Sequence, residues 1–209
     1  MGLGTRDNVI YVSIREGKLN IAATSQTENA IAKVMDDGST KYYSVYDNIE
    51  GVITGFSTKE DEYNGKKTMK LMIRISDGKE NYILQMSVES AYFRGFATKV
   101  PNIDFSKKIL IAPVLKEENG KKQYGLLLKQ GEDWLKSAFT KDNPNGMPEI
   151  VPLTNAKGAI VSWDSSLQND FLLNIVNEAS GRLSTPTTVA VTEGDFEETQ
   201  EQSEDDLPF

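Results

Sequence analysis

Ile49-Glu50-Gly51-Val52-Ile53-Thr54-Gly55-Phe56-Ser57, Met69-Lys70-Leu71-Met72-Ile73-Arg74-Ile75 and Asn81-Tyr82-Ile83-Leu84-Gln85-Met86-Ser87-Val88 follow one another along the chain as apolar runs with turn chemistry between them. They read as three consecutive strands. Gly51 and Gly55 permit a bend or bulge in the first. The charged segment Lys59 to Lys67 contains Asn64-Gly65, a strong hairpin signal, and Ser76-Asp77-Gly78-Lys79 makes a second turn. Tyr92, Phe93, Phe96 and Val100 then recur at helical spacing, with Pro101 as a stop just beyond. Lys108 to Lys116 is a fourth strand, in which Pro113 predicts an edge or bulge. Gln123 to Lys129 is a fifth, reached through the turn Glu117-Glu118-Asn119-Gly120-Lys121-Lys122.

Three strands, a helix and two further strands is the element order of the OB-fold, a five-stranded Greek-key barrel that binds oligonucleotides on its strand 2–3 face and on the loops joining strands 1–2 and 4–5. The fold expected is therefore mainly β, with the barrel spanning 41–140. Both of those loops end in one tetrapeptide, Asn64-Gly65-Lys66-Lys67 and Asn119-Gly120-Lys121-Lys122. Each holds two ammonium groups past a hairpin tip, where they can meet consecutive phosphates without reading a base. A soluble hairpin tip is the competing explanation of each taken singly.

Aromatic residues supply the other half of the chemistry, because a flat ring stacks on any base, worth roughly 1–3 kcal/mol per base. Lys41-Tyr42-Tyr43-Ser44-Val45-Tyr46 leads into the first barrel strand, Tyr63 sits in the first loop, Tyr82 on the third strand and Tyr124 at the start of the fifth. The candidate interface comprises Lys41, Tyr42, Tyr43, Lys59, Tyr63, Lys66, Lys67, Lys70, Arg74, Tyr82, Lys121, Lys122 and Tyr124. Strand tyrosines can instead be core or cross-strand partners, the role assigned to Tyr11. Phe93, Phe96 and Trp134 are read as core, and Arg74 can equally pair with an acid.

Outward from the barrel, Val9 to Ile14 and Lys18 to Ala23 flank Arg15-Glu16-Gly17 as a β-hairpin, so 1–40 is read as an N-terminal hairpin extension. Thr24 to Thr40 is polar and is expected to be a loop with a short helical turn around Glu28 to Met35. Glu132 to Phe139 is expected to be a short helix carrying Trp134. Lys141 to Pro152, rich in Pro, Asn and Gly, reads as a boundary opening a linker and C-terminal helix over 141–184. In that helix Leu167, Phe171, Leu172, Ile175, Val176 and Ala179 form one stripe, with Asp164, Ser165 or Ser166 able to cap its start. The segment 185–209 is Thr-rich and then acidic, cannot bury a core, and is expected to be disordered in isolation.

Charge sharpens this division. The 209 residues carry a formal net charge of −8, yet from Thr187 to Phe209 there are eight acids and no Lys or Arg. The remaining 23 acids match the 23 bases. Lys41 to Lys141 holds 17 bases against 13 acids, so a locally basic middle is joined to an acidic end, an asymmetry that suggests a polyanionic ligand. Cysteine and histidine are both zero, which excludes disulfides, thiolate and imidazole catalysis and His/Cys zinc sites. No Walker loop is present, since Gly65-Lys66-Lys67-Thr68 lacks the upstream glycine. Glu60-Asp61-Glu62 could bind magnesium for a nuclease, but solvation of a charged turn explains it better. No run approaches the roughly 18 apolar residues of a membrane helix, and no signal segment opens the chain, so a cytoplasmic setting without membrane contact is expected.

The sequence closes with Glu204-Asp205-Asp206-Leu207-Pro208-Phe209. Phe209 can enter an apolar pocket, the aspartates can meet its basic rim, and Pro208 limits what binding must freeze. Asp205, Asp206, Pro208 and Phe209, with Leu207 where Ile is commoner, resemble the tip of the bacterial and phage single-stranded DNA-binding proteins, and the short Thr- and Glu-rich linker and added hairpin and helix are closer to a diverged phage-encoded member. The resemblance implies an OB-fold core binding single-stranded DNA without sequence preference in replication, recombination and repair. It implies an acidic tip, Asp205 to Phe209, that recruits a polymerase, primase or helicase. It implies no catalysis, no cofactor and no metal, with a homo-oligomer possible. The alternative is an OB-type protein-interaction or virion component.

Overall fold

The computed structural model describes residues 9–35, 37–63 and 65–183, with the side chains of Tyr63 and Lys66 outside that description. The chain is mainly β, with one large sheet and two short helices. Its first three strands are β1 (Val9–Arg15), β2 (Lys18–Ala23) and β3 (Ile31–Val34). Next come β4 (Thr40–Tyr46), β5 (Ile49–Tyr63), β6 (Lys66–Ser76) and β7 (Asn81–Ser87). The helix α1 (Ala91–Ala97) leads through a 3-10 turn, Val100–Asn102, to β8 (Ile109–Glu118) and β9 (Lys121–Gln130). A two-residue strand, β10 (Asp133–Trp134), precedes the separate hairpin β11 (Val151–Thr154) and β12 (Ile160–Asp164) and the helix α2 (Ser166–Ser180).

In the ten-stranded sheet the order is β10-β9-β8-β5-β6-β7-β1-β2-β4-β3. The five strands read from sequence are thus contiguous as β9-β8-β5-β6-β7. The far side of β7 is taken by β1, in parallel, with Val9 opposite Asn81 and Ser13 opposite Gln85. The N-terminal hairpin is therefore woven into the sheet through the third strand of the central five. β5 bends where expected: its register with β6 shifts between Ile53 and Gly55, so that Ile53 faces inward before the shift and Phe56 after it. Pro113 falls where β8 has already left β5, since their shared ladder covers only Ile49–Gly51 and Ile109–Ile111.

One core runs through all of this. Alternate residues Leu71, Ile73 and Ile75 of β6, Leu84 and Met86 of β7 and Val12 of β1 meet Phe93 and Phe96 from α1 and Leu128 from β9. Phe56 lies edge-on to Phe96 and Phe105 at 6.0 and 5.8 Å between ring centres. Ser90 caps α1 by accepting from the Phe93 N–H at 3.1 Å. α2 buries Leu172, Val176 and Ala179 of its predicted stripe into the same core and half-buries Phe171 and Ile175, whereas Leu167, in its first turn, is 64% exposed. Its start is held by Asp164, whose Oδ1 accepts from the Ser166 N–H at 2.9 Å.

Several expectations are corrected. Glu28 to Met35 forms no helical turn: after Asn29 at φ +58° the backbone enters β3, an exposed edge strand on β4. Ile31, Val34 and Met35 have helical spacing, but the ladder offered by β4 takes Ile31–Val34 as a strand and leaves Ile31 and Val34 exposed. Lys41 to Tyr46 is itself a strand, β4, paired with β2 and β3. Glu132 to Phe139 is not a helix: Asp133–Trp134 is a short strand and the rest is turn and irregular chain. Trp134 is 54% exposed beside the Lys129 ammonium rather than in the core. Tyr11, expected as a core or cross-strand partner, is not core: it lies opposite Ile83 and is 57% exposed, because the even residues of β1 take the inner face. The boundary segment runs directly into β11–β12, a solvent-exposed hairpin that the Pro- and Asn-rich sequence did not announce.

Candidate nucleic-acid interface

Residues opposite one another in a ladder share a face of the sheet, so the registers sort every candidate. On the outer side of β5, β6 and β7, Lys59 pairs with Lys70 and Lys70 with Ser87. Two residues along, Ser57, Met72, Gln85, Ser13, Asn20 and Val45 form one transverse row across β5, β6, β7, β1, β2 and β4. Gly55, Arg74, Ile83 and Tyr11 form the next. Farther along the same face, Arg15 is opposite Lys18, Tyr43 is opposite Ile31, and Lys41 is opposite Lys33. The face is cationic along its length, and its middle row carries no charge.

The side chains are held in distinct ways. Lys70 Nζ lies 2.6 Å from Asp61 Oδ2, and this hydrogen bond, followed by the ammonium charge, holds the Asp61 carboxyl below its ordinary range. Lys18 pairs with Asp47. Arg74 lies across Gly55, where an added Cβ would sit 3.3 Å from Arg74 Cδ, so the missing side chain leaves room for the arginine stem. Arg74 and Tyr11 line one cleft of about 380 Å3 with Ile83 on its floor. The Arg15 guanidinium sits 5.0 Å from the centre of the Tyr43 ring.

Of the residues selected from sequence, Lys41, Tyr43, Lys59, Lys70 and Arg74 share this face. Tyr42 and Tyr82 have the opposite parity. Tyr42 is opposite Ala23. Tyr82 is opposite Ile75, and its phenol donates toward Glu80 Oε2 at 3.1 Å and Asp77 Oδ2 at 3.2 Å. Two acids beside that ring make it a poor neighbour for phosphate. At the hairpin ends the lysines face glutamates across the ladder: Lys67 is opposite Glu62, Lys121 opposite Glu118 and Lys122 opposite Glu117. That pattern lowers the local positive charge at both tips. Asn64 and the side chains of Tyr63 and Lys66 lie outside the described residues, as do Asp205, Asp206, Leu207, Pro208 and Phe209.

The β5–β6 and β8–β9 hairpins, the two arms of the sheet, leave the short β5–β8 ladder in opposite directions, yet the β8–β9 arm comes round to the β1–β2 turn. Gly17, at φ +73°, presses so closely on β8 that a Cβ there would sit 2.6 Å from the Leu115 backbone nitrogen. The Gly17 N–H donates to Tyr92 Oη at 2.9 Å, and Tyr92 meets Tyr124 edge-on at 5.8 Å. Tyr92 in turn lines a cleft of about 280 Å3 with Lys70, Gln85 and Ser13. Tyr124 is therefore part of the packing that ties the second arm to the end of the cationic face. Among the acids of the first loop, Glu60 and Glu62 have the opposite parity to Asp61, which is ion-paired, so the three carboxylates do not converge.

Sequence reasoning missed Tyr11, Arg15, Lys18 and Lys33. Alternation placed Ile10, Val12 and Ile14 on one side of β1, which leaves Tyr11 and Arg15 on the other, and that signal was legible. That this outer side would continue the face of β6 and β7 depended on the parallel β1–β7 pairing, which no local pattern encodes. No family model, curated protein or solved structure matches this chain. Among the described residues no helix is long and apolar enough to cross a membrane.

Proposed function

We propose that the protein binds single-stranded DNA without sequence preference, as a non-catalytic component of replication, recombination or repair. The observation that carries this reading is that Lys59, Lys70 and Arg74 of β5 and β6 and Lys41 and Tyr43 of β4 share one side of a curved sheet. Cations there neutralise phosphates, and counterion release makes the affinity fall with salt. Exposed rings stack on unpaired bases, which a duplex does not offer. The strand order β9-β8-β5-β6-β7 with a bent β5 supports an OB-type core, with strand 1 between strands 4 and 2. Among the described residues, however, β7 pairs on its far side with β1 and not with β9, so the five strands form part of an open sheet. The resemblance of Asp205 to Phe209 to the single-stranded DNA-binding tip supports a recruiting role for the acidic segment, with a polymerase, primase or helicase as partner.

Titration of labelled oligo-dT against duplex DNA at low and high salt tests the reading. Strong preference for the single strand, lost as salt rises, is the expected result. Metal-dependent cutting would make the protein a nuclease. Absence of binding would favour an interaction or virion component, a reading for which the exposed Val161 and Trp163 of β12 provide apolar surface.

A further inference from the structure

The cationic face does not stop at β7. We infer that an unpaired strand bound at Arg74 continues onto β1, β2, β4 and β3, with Tyr11 as the intermediate step and the Arg15–Tyr43 cleft as a second nucleotide subsite. The inference rests on the reading of β5–β7 as a surface for single-stranded DNA.

Three features carry it. Arg74 and Tyr11 stand on either side of Ile83 in one transverse row and share a cleft, so a guanidinium and an exposed ring flank a gap with an apolar floor. A base is planar and apolar on its faces, and such a gap receives it while the arginine meets the adjoining phosphate. Beside that row, Ser57, Met72, Gln85, Ser13, Asn20 and Val45, of which Met72 and Asn20 are buried, give an uncharged strip with Arg74 on one side and Lys59, Lys70, Arg15 and Lys18 on the other. At its far end Arg15 is oriented over Tyr43, and both line a cleft of about 210 Å3 with Lys18, Ile31 and Lys33. A guanidinium already seated over a ring, here 5.0 Å from its centre, loses little freedom when it takes a phosphate oxygen.

Charge complementarity selects a polyanion as the occupant. Arg15, Lys18, Lys33 and Lys41 project from β1, β2, β3 and β4 on this side. The acids near them are Asp47, paired to Lys18; Glu16 in the β1–β2 turn; and Asp37, bonded to Ser39. From β6 to β4 there are four inter-strand steps, about 19 Å at the usual strand spacing, room for several nucleotides.

The test is fluorescence anisotropy with labelled oligo-dT of about 5 and about 16 nucleotides, lengths that bracket the sites of OB-type proteins. Tyr11→Ala and Tyr43→Ala are each expected to weaken binding of the longer oligonucleotide by about 5- to 100-fold and to shorten the length covered per protein. Tyr43→Phe, which keeps the ring, should retain wild-type affinity. Equal thermal midpoints for all variants separate these effects from folding. If either alanine variant holds the longer oligonucleotide as the wild type does, while Arg74→Ala binds more weakly, the extended path is wrong and the β5–β7 surface stands. If the wild type binds neither oligonucleotide, the underlying reading falls with it.

Discussion

Arg74 and Tyr82 lie one register step apart on neighbouring strands and end on opposite sides of the sheet. The parity of a strand thus decides between a phosphate contact and a structural ring. Arg74 has no acid opposite it in the ladder, only Gly55 and Ile83. Arg74→Ala should weaken single-strand binding similarly for every base composition and reduce the steepness of log K against log salt by about 0.7, one phosphate's share. Lys70 is already neutralised by Asp61, so Lys70→Ala should cost less, and Asp61→Asn should tighten binding by releasing the ammonium. Equal losses for Lys70→Ala and Arg74→Ala would contradict this ranking. The Tyr82 phenol is pushed up to about 12, chiefly by partial burial, then by its bond to Glu80 and the charge of Asp77. The folded state holds that proton while an unfolded chain loses it near 10.0, so the stabilisation is intact below pH 10 and drains away as pH rises toward 12. Alkaline unfolding should therefore be shallower between these values in Tyr82→Phe than in the wild type, and the latest phenolate absorbance step should vanish. Of the site, what could be read residue by residue was residue type and parity within a strand. Tyr82 was chosen for its ring, and only the neighbouring register showed that the ring faces two carboxylates.

At the scale of elements, hairpins and helices with strong local signals were legible and edge elements were not. Glu16-Gly17 and Asn119-Gly120 all take positive φ, as their turns require, and the helical stripe of Leu172, Val176 and Ala179 is buried as read. β3 and β10 are short edge strands that exist because a neighbouring strand offers its ladder, and nothing in Ile31 to Val34 or in Asp133-Trp134 encodes that offer. The two glycine turns give an element-scale prediction. Gly120→Ala, at φ +71° with open space around it, should cost only the left-handed penalty of about 1–2 kcal/mol. Gly17→Ala adds a collision with the β8 backbone and should cost more, about 2–4 kcal/mol, with the difference read by urea unfolding. Equal losses would mean that the β1–β2 turn does not press on β8 in solution. Truncating the helix stripe with Leu172→Ala should cost about 2–5 kcal/mol, because Leu172 is fully buried.

Across the whole molecule the proposed function raises the question of how a chain of net charge −8 would hold a polyanion. The acids are not evenly spread: eight lie between Thr187 and Phe209, and the rest of the chain is balanced at 23 against 23. On the proposed reading a bound strand meets a neutral body that carries Arg15, Lys18, Lys33, Lys41, Lys59, Lys70 and Arg74 on one face, plus an acidic segment joined after α2. On the same reading, tethering gives that segment a high effective concentration, and it competes with DNA for the same cations. The competition is electrostatic, and screening shortens its reach from about 10 Å at 0.1 M salt to about 3 Å at 1 M. Deleting Glu193 to Phe209 removes all eight acids, so single-strand affinity should hold or rise, with the gain largest at low salt and gone at high salt. The same deletion should abolish capture of a polymerase, primase or helicase, because Asp205 to Phe209 goes with it. Anisotropy across a salt series reads the first effect and pull-down with purified replication proteins the second. Loss of DNA binding on truncation would show that the acidic segment builds the binding surface instead of competing for it, and the division between a gripping face and a recruiting tip would be wrong.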